Sequence, residues 1–294
     1  MDRIDIAIIG GGVIGSAIAF NVLALRPELS VLVIERDPTY RTASSALSAS
    51  SIRQQFSTPA NIAMSRYSLA FLKDIETHLT VAGDVPDINL VERGYLCLAT
   101  DLGKPSLERN HALQLEHNVD VDLLDPQQLG KQFPWLFTGD LAAGSLGRSG
   151  EGWFDGYSLL QAFRRKARAL GATYVSREVI GIKLIRGRVD AVTLSDGSRI
   201  GCGKLVNAAG PWARGVAKLA GIDLPVHAAK HCIFVFDCKD SPAACPLVID
   251  PSGVYFRPEG QGFIAGAPAQ KDSPAQNNLD VDYRQFDEVV WPVT

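Results

Sequence analysis

The chain opens on a short apolar run, Ile4-Asp5-Ile6-Ala7-Ile8-Ile9, rich in β-branched side chains. Too short for a helix and nearly continuous in hydrophobicity, it predicts a strand buried on both faces. Gly10-Gly11-Gly12-Val13-Ile14-Gly15 follows, and Ser16 to Leu25 then reads as a helix rich in Ala and Leu. Val31-Leu32-Val33-Ile34-Glu35 predicts a second buried strand. Together they make one strand–helix–strand unit of about 30 residues.

Further along, Pro59 to His78 places Ile62, Ser65, Leu69, Leu72 and Ile75 near one face and predicts a helix. Leu90 to Ala99 reads as a strand. Pro105 to His117 and Pro126 to Phe133 read as helices, each with proline near its start. A second α/β block begins near Gly150. Tyr157 to Leu170 is an amphipathic helix with Gly171 as its terminator. Thr173 to Val175, Val179 to Ile185 and Asp190 to Leu194 alternate as strands, with Arg186-Gly187 and Asp196-Gly197 at the turns. Leu205 to Gly210 is a strand running into a glycine turn, and Pro211 to Ala220 supplies a helix. Beyond Pro225 the pattern turns to strands, at Cys232 to Phe236, Gly253 to Phe256 and Gly262 to Ala265.

Composition narrows the possibilities. The chain has 294 residues, 46% hydrophobic and 21% charged, with a formal net charge of −3. These values suit a soluble globular protein, and no basic stripe favours nucleic acid. No apolar run approaches the ~18 residues of a membrane span. The first strand begins so near Met1 that neither a signal nor a transit peptide is expected. The five cysteines form no C-x-x-C pair and the histidines are scattered, so no metal site is expected. Their odd number also argues against a disulfide framework, and the expected compartment is the cytoplasm.

The glycine run carries the chemistry. In G-x-G-x-x-G between a strand and a helix, Gly10 makes the tight turn and Gly12 lets the backbone approach a diphosphate. Gly15 lets the helix pack closely on the strand. The amides at the helix start, including those of Val13 and Ile14, face the phosphates. Glu35, 20 residues beyond Gly15, ends the second strand. Its carboxylate suits the ribose hydroxyls of an adenosine and disfavours a 2′-phosphate, with Arg36 beside it at the adenosine end. This pattern alone fits either FAD or NAD.

Four later segments resemble the D-amino-acid oxidase superfamily, in its sarcosine oxidase and glycine oxidase branch. They are Ala43 to Phe56, Gly152-Trp153-Phe154-Asp155-Gly156, Val206-Asn207-Ala208-Ala209-Gly210-Pro211-Trp212 and Gly253-Val254-Tyr255-Phe256-Arg257-Pro258, in the family's order. The resemblance implies an α/β fold. A Rossmann-like FAD-binding domain, with a parallel sheet and a β-meander, spans 1–88 and 151–222. A discontinuous α+β substrate domain with a mixed sheet spans 89–150 and 223–294. FAD is expected to be held non-covalently, with Ser44, Ser45, Ser51 and Ile52 along its phosphates and flavin face. Val179 stands at the family's adenine contact, and Ala208 and Gly210 pass close to the dinucleotide.

The activity implied is oxidation of the C–N bond of a small amine or amino acid, with electrons passed to oxygen or another carrier. Such chemistry rests on the cofactor, so no nucleophilic triad is required. The protein must supply a cation for a substrate carboxylate and a polar group near the amine. Arg53, Tyr255 and Arg257 are the candidates; Tyr255 and Arg257 share a face if they lie on one strand. Lys230 and His231 resemble a position that is usually basic, but a lone His at a strand start is ordinarily a satisfied side chain.

The chain departs from the family pattern twice. Sarcosine-type oxidases carry a lysine above the flavin where Ile264 stands here, which implies an acceptor other than oxygen or slow reaction with oxygen. The family pattern also continues past Val289-Val290-Trp291-Pro292-Val293-Thr294 with a glycine-rich loop over the flavin. The expectation is therefore weak FAD binding by this chain alone. Two other readings stay open: an NAD-dependent dehydrogenase, and a non-catalytic or multi-subunit flavoprotein component.

Overall fold

The computed structural model describes residues 3–239, 242, 244–268 and 279–294. The chain divides into two compact units. Residues 1–48, 75–88 and 155–228 form the first; residues 49–74, 89–154 and 229–294 form the second.

The first unit is built on a six-stranded sheet. Its order is Thr173–Ser176, Val31–Glu35, Arg3–Ile9, Arg199–Asn207, Arg188–Leu194, Val179–Ile185. The first four strands are parallel and the last two close an antiparallel meander. Arg186 and Gly187 both take positive φ, 50° and 74°, as a two-residue hairpin turn requires. Ile4, Ala7, Ile9, Leu32, Ile34, Val192, Leu194 and Cys202 form one buried layer of this sheet. Helix Val13–Leu25 packs on helix Gly156–Ala169, with the Phe20 and Phe163 rings 5.7 Å apart. Asp155 caps the latter by accepting from the Tyr157 and Ser158 amides. Gly171 ends it at φ 110°, as expected.

The second unit holds a seven-stranded mixed sheet. Its order is Ile233–Phe236, Gly262–Gly266, Tyr255–Glu259, Leu247–Ile249, Tyr95–Ala99, Ala143–Gly147, Val121–Leu124. Only Leu247–Ile249 and Tyr95–Ala99 run parallel. One face buries Leu96, Leu98, Leu146, Val248 and Phe263 against Leu129 and Phe133. Alternation puts Tyr95, Cys97, Ile249, Tyr255 and Arg257 on the other. A separate ribbon pairs Ser51–Ile52 with Gly152–Trp153.

Several boundaries differ from the sequence expectation. Residues 49–74 and 151–154 belong to the second unit: Trp153 pairs with Val91, the Glu151 carbonyl accepts from the Gly94 amide at 3.0 Å and Gln55 Nε2 donates to the Tyr95 carbonyl at 3.1 Å. The first helix begins at Val13 rather than Ser16, so the last part of the glycine run is already helical. The helix expected over 59–78 is two pieces, Pro59–Lys73 and Ile75–Leu79, with Asp74 at φ −108° between them. The strand Ala143–Gly147 was not expected, since Ala-Gly-Ser-Leu-Gly has no β-branched residue. Close packing decides there: a Cβ on Gly144 would lie 2.9 Å from Leu129 Cδ2. Val121–Leu124 and Leu247–Ile249 were likewise too short to stand out. Among the described residues, no helix is long and apolar enough to cross a membrane.

Candidate active site residues in each unit

In the first unit the glycine run passes from strand Arg3–Ile9 into helix Val13–Leu25. Gly10 has φ 97°, and a Cβ there would lie 2.4 Å from the Ala208 carbonyl oxygen. At Gly15 a Cβ would lie 1.8 Å from the Gly10 carbonyl oxygen. Both contacts demand glycine. Gly12 is different: its missing Cβ would meet only Ser45 Oγ, at 3.4 Å, so the main chain there stays approachable. No side chain of Gly12 caps the helix; the Val13 amide reaches Ser45 Oγ at 3.4 Å, and Ile14 and Gly15 have no preceding carbonyl within the helix.

Glu35 is half-buried at the end of its strand. Its Oε2 accepts from the Gly11 amide at 2.7 Å and its Oε1 from the Asp37 amide at 2.8 Å. Each oxygen keeps a further lone pair for a ribose hydroxyl. Arg36 lays its guanidinium 3.9 Å over the Trp212 ring and lies 3.8 Å from the Glu178 carboxylate. Ala208 continues the strand by donating to the Ile9 carbonyl at 2.8 Å, and Gly210 starts the turn Gly210–Trp212 at φ 52°. Val179 is buried at the meander's outer strand. Ser44 is exposed and Ser45 half-buried. This cradle fits a dinucleotide: glycine main chain that a Cβ would block, helix-start amides with no carbonyl partner within the helix and a carboxylate on the neighbouring strand.

The second unit arranges the other candidates. The exposed Ser51 hydrogen-bonds the Tyr95 hydroxyl, and Ile52 is buried. Arg53 is half-buried, with its guanidinium carbon 4.7 Å over the Phe56 ring. Among the described residues it makes no ion pair. Arg257 is the opposite case. It is 4% exposed and donates to the Pro258 carbonyl at 2.9 Å, to the Ala49 carbonyl at 2.8 Å and to Glu259. Its guanidinium also lies 5.0 Å from the Trp153 ring. Its terminal nitrogens thus already serve the protein, so it acts as a tie between its strand and the Ala49 segment. Tyr255 is half-buried against Gly266, where a Cβ would lie 2.6 Å from its hydroxyl. Burial raises the pKa of that phenol, with Arg257 opposing. Ile264 is buried beside Arg257 across the strand pair. His231 is exposed, and Lys230 donates to the Asp280 carbonyl at 2.8 Å.

One residue had no sequence signal. Glu151 is 0% exposed and its Oε1 accepts from the Gln54 amide and, at 2.9 Å, the Gln55 amide. Its Oε2 accepts from Gln55 Nε2 at 2.8 Å. A Cβ on Gly147 would lie 1.8 Å from that oxygen. Burial raises the pKa of this carboxyl, outweighing its three donors and the Arg53 charge. The same burial pushes Tyr95 and Cys97 up to about 12. Only the 96-residue reach from Gln55 to Glu151 hides this anchor from a sequence reading. Among the described residues, no three His, Cys, Asp or Glu side chains could hold a metal ion together.

Comparison with known proteins agrees with this geometry. "FAD-dependent oxidoreductase domain-containing protein 1" of Xenopus laevis is 41% identical across 99% of this chain, which spans 66% of that protein. The chain thus covers about two thirds of the length of such curated relatives. Human mitochondrial dimethylglycine dehydrogenase is 28% identical over 90% of this chain and 30% of its own length. The crystal structure of L-proline dehydrogenase from P. horikoshii superposes with a TM-score of 0.82 at 25% identity, over 98% of this chain and 75% of that one. The family model described as FAD dependent oxidoreductase matches residues 5–290, and this chain belongs to that DAO family, whose cofactor is FAD.

Proposed function

We propose that this chain takes part in FAD-dependent oxidation of the C–N bond of a small, carboxylate-bearing amine. The observation that carries the reading is Arg53: a half-buried guanidinium with no ion pair among the described residues, held directly after the Ser51–Ile52 ribbon. A cation with no carboxylate at ion-pair distance, in a partly dry setting, is suited to one brought by a substrate. Relatives named for dimethylglycine and L-proline support the same class. Both molecules join a carboxylate to an alkylated nitrogen.

When bound, FAD supplies the two-electron acceptor for the C–H bond beside nitrogen. The residues of this chain orient and exclude. Gly10, Gly12, Val13, Ile14 and Gly15 would hold the diphosphate through main-chain amides, with Glu35 on the ribose and Arg36 beside it. Ser44, Ser45, Ser51, Ile52, Val179, Ala208 and Gly210 would line the remaining dinucleotide. Arg53 would fix the carboxylate and Tyr255 would place its hydroxyl near the amine. Arg257 would act through the Ala49 segment that it ties. At the family's lysine position Ile264 would itself supply no charge to the ring, which favours an electron acceptor other than oxygen.

Anaerobic mixing of the FAD-loaded chain with N-methylated glycines, proline and D-amino acids tests this reading. It predicts loss of the visible flavin bands with at least one of them, followed by slow recovery in air. Unchanged spectra with every amine would favour a non-catalytic flavoprotein instead. Fast recovery in air would overturn the choice of acceptor.

A further inference from the structure

Behind the glycine run lies a row of polar groups that the proposed chemistry does not use. Ser16, 0% exposed, donates from Oγ to the Gly11 carbonyl at 2.8 Å. The Tyr174 hydroxyl, from the neighbouring strand Thr173–Ser176, donates to that same Oγ at 3.1 Å. Tyr174 is in turn flanked by two cations, with the Arg164 and Arg168 guanidinium carbons 5.7 and 5.2 Å from its ring. Arg164 also lies 5.7 Å from the ring of the buried Tyr40. Its Nε is buried without a hydrogen-bond partner, and it makes no ion pair among the described residues. On the opposite side of Gly11, its amide donates to Glu35.

These contacts fix both peptides that flank Gly11. In a trans peptide the C=O and the following N–H point in opposite directions, and the chain has no cis bond among its described residues. With the Gly11 carbonyl turned inward to Ser16, the Gly12 N–H is turned outward. Gly12 is the position where only Ser45 Oγ stands near the main chain. A hydroxyl that donates to a carbonyl also polarises that peptide, so its N–H becomes a better donor. Ser16 receives a hydrogen bond from Tyr174 while giving one to Gly11, which reinforces this polarity along the row.

We propose that Tyr174 and Ser16 are positioning residues for the cofactor: a two-hydroxyl relay that aims and strengthens the Gly12 amide toward the FAD diphosphate. The proposal rests on FAD being the cofactor and is independent of which amine, if any, is oxidised.

The test uses the whole chain, its Ser16→Ala and Tyr174→Phe variants and the double variant. FAD binding is followed by flavin fluorescence, and ADP and adenosine binding by calorimetry. Loss of one such hydrogen bond predicts an FAD and ADP Kd raised about five- to tenfold for Ser16→Ala. For Tyr174→Phe, which acts only through Ser16, the expected rise is about threefold. Adenosine, which lacks the diphosphate, should bind all forms alike. The double variant should be no weaker than Ser16→Ala, because removing Ser16 already disconnects Tyr174. Equal weakening of adenosine and ADP would overturn the relay and leave a packing role. So would strictly additive effects, or an unchanged FAD Kd in Ser16→Ala. Tyr174→Phe keeps the ring in place, so it reads the relay even if Ser16→Ala disturbs folding. Flavin that binds as predicted but is reduced by no amine would leave this proposal standing and remove the one above.

Discussion

The glycine run of the first unit and the Arg53 segment of the second solve one problem by different means. Each holds a stretch of main chain in a fixed pose. The glycine run does so by leaving side chains out, at Gly10 against the distant Ala208 carbonyl and at Gly15 against Gly10 itself. Its polar contacts reach Ser16 and Glu35 within 24 residues. The Arg53 segment is held from afar by one buried carboxylate, Glu151, whose partners Gln54 and Gln55 lie 97 and 96 residues away. The difference teaches that the part of a pose set by absent side chains is fixed by shape alone, whereas a pose built on a buried acid carries a titratable weakness.

Breaking the shape should have the largest effect. Gly15→Ala forces the helix away from the Gly10 carbonyl, and FAD affinity should fall by roughly a hundredfold or more, read by fluorescence titration. Next comes the tie in the second unit. Arg257→Leu leaves the Ala49 and Pro258 carbonyls without their donor and removes the stack on Trp153, a loss of about 3 kcal/mol measurable by urea denaturation. An unchanged denaturation midpoint would free Arg257 for a substrate role.

The pH contrast is smaller and sharper. Because the folded chain holds the Glu151 proton more tightly than the unfolded chain does, this carboxyl's contribution is full below its ordinary value of 4.5. It is lost as pH rises through the raised folded value. Glu151→Gln does not titrate. As pH rises above 4.5 the wild type should therefore lose stability relative to this variant in denaturation midpoints. Parallel curves would show that Glu151 is not held under strain by burial. The smallest effect belongs to the rim of the adenosine end: Trp212→Ala removes the platform under Arg36 and should raise the FAD Kd about threefold.

The first unit was legible because its signals are local. The strand–glycine–helix run, Glu35 and the Arg186-Gly187 turn are each set by a few adjacent residues, and each stands where the sequence pattern put it. What escaped was long-range. Residues 49–74 read as part of the first unit because they follow it in the chain, yet the Gln55 bond to the Tyr95 carbonyl and the Arg257 bond to the Ala49 carbonyl hold them to the second sheet. Strand Ala143–Gly147 has poor strand propensity and exists because it is paired on both sides and Leu129 and Leu96 leave no room for a side chain at Gly144. Arg257 matched a substrate-binding pattern, and the fold adds what no pattern shows: its two terminal nitrogens already donate to Ala49, Pro258 and Glu259, while its buried Nε has no partner among the described residues. Ser16 and Tyr174, 158 residues apart, carry no motif at all.

All of this depends on Glu35 and the glycine amides forming one dinucleotide cradle. Equilibrium titration of FAD into the whole chain and into Glu35→Gln tests it most directly. The account predicts saturable one-to-one binding with resolved visible flavin bands by the native chain. In the variant, whose amide cannot replace the carboxylate as a charged acceptor for Gly11 and the ribose, affinity should be roughly thirtyfold weaker. Equal affinity of the two proteins for FAD would contradict the assignment.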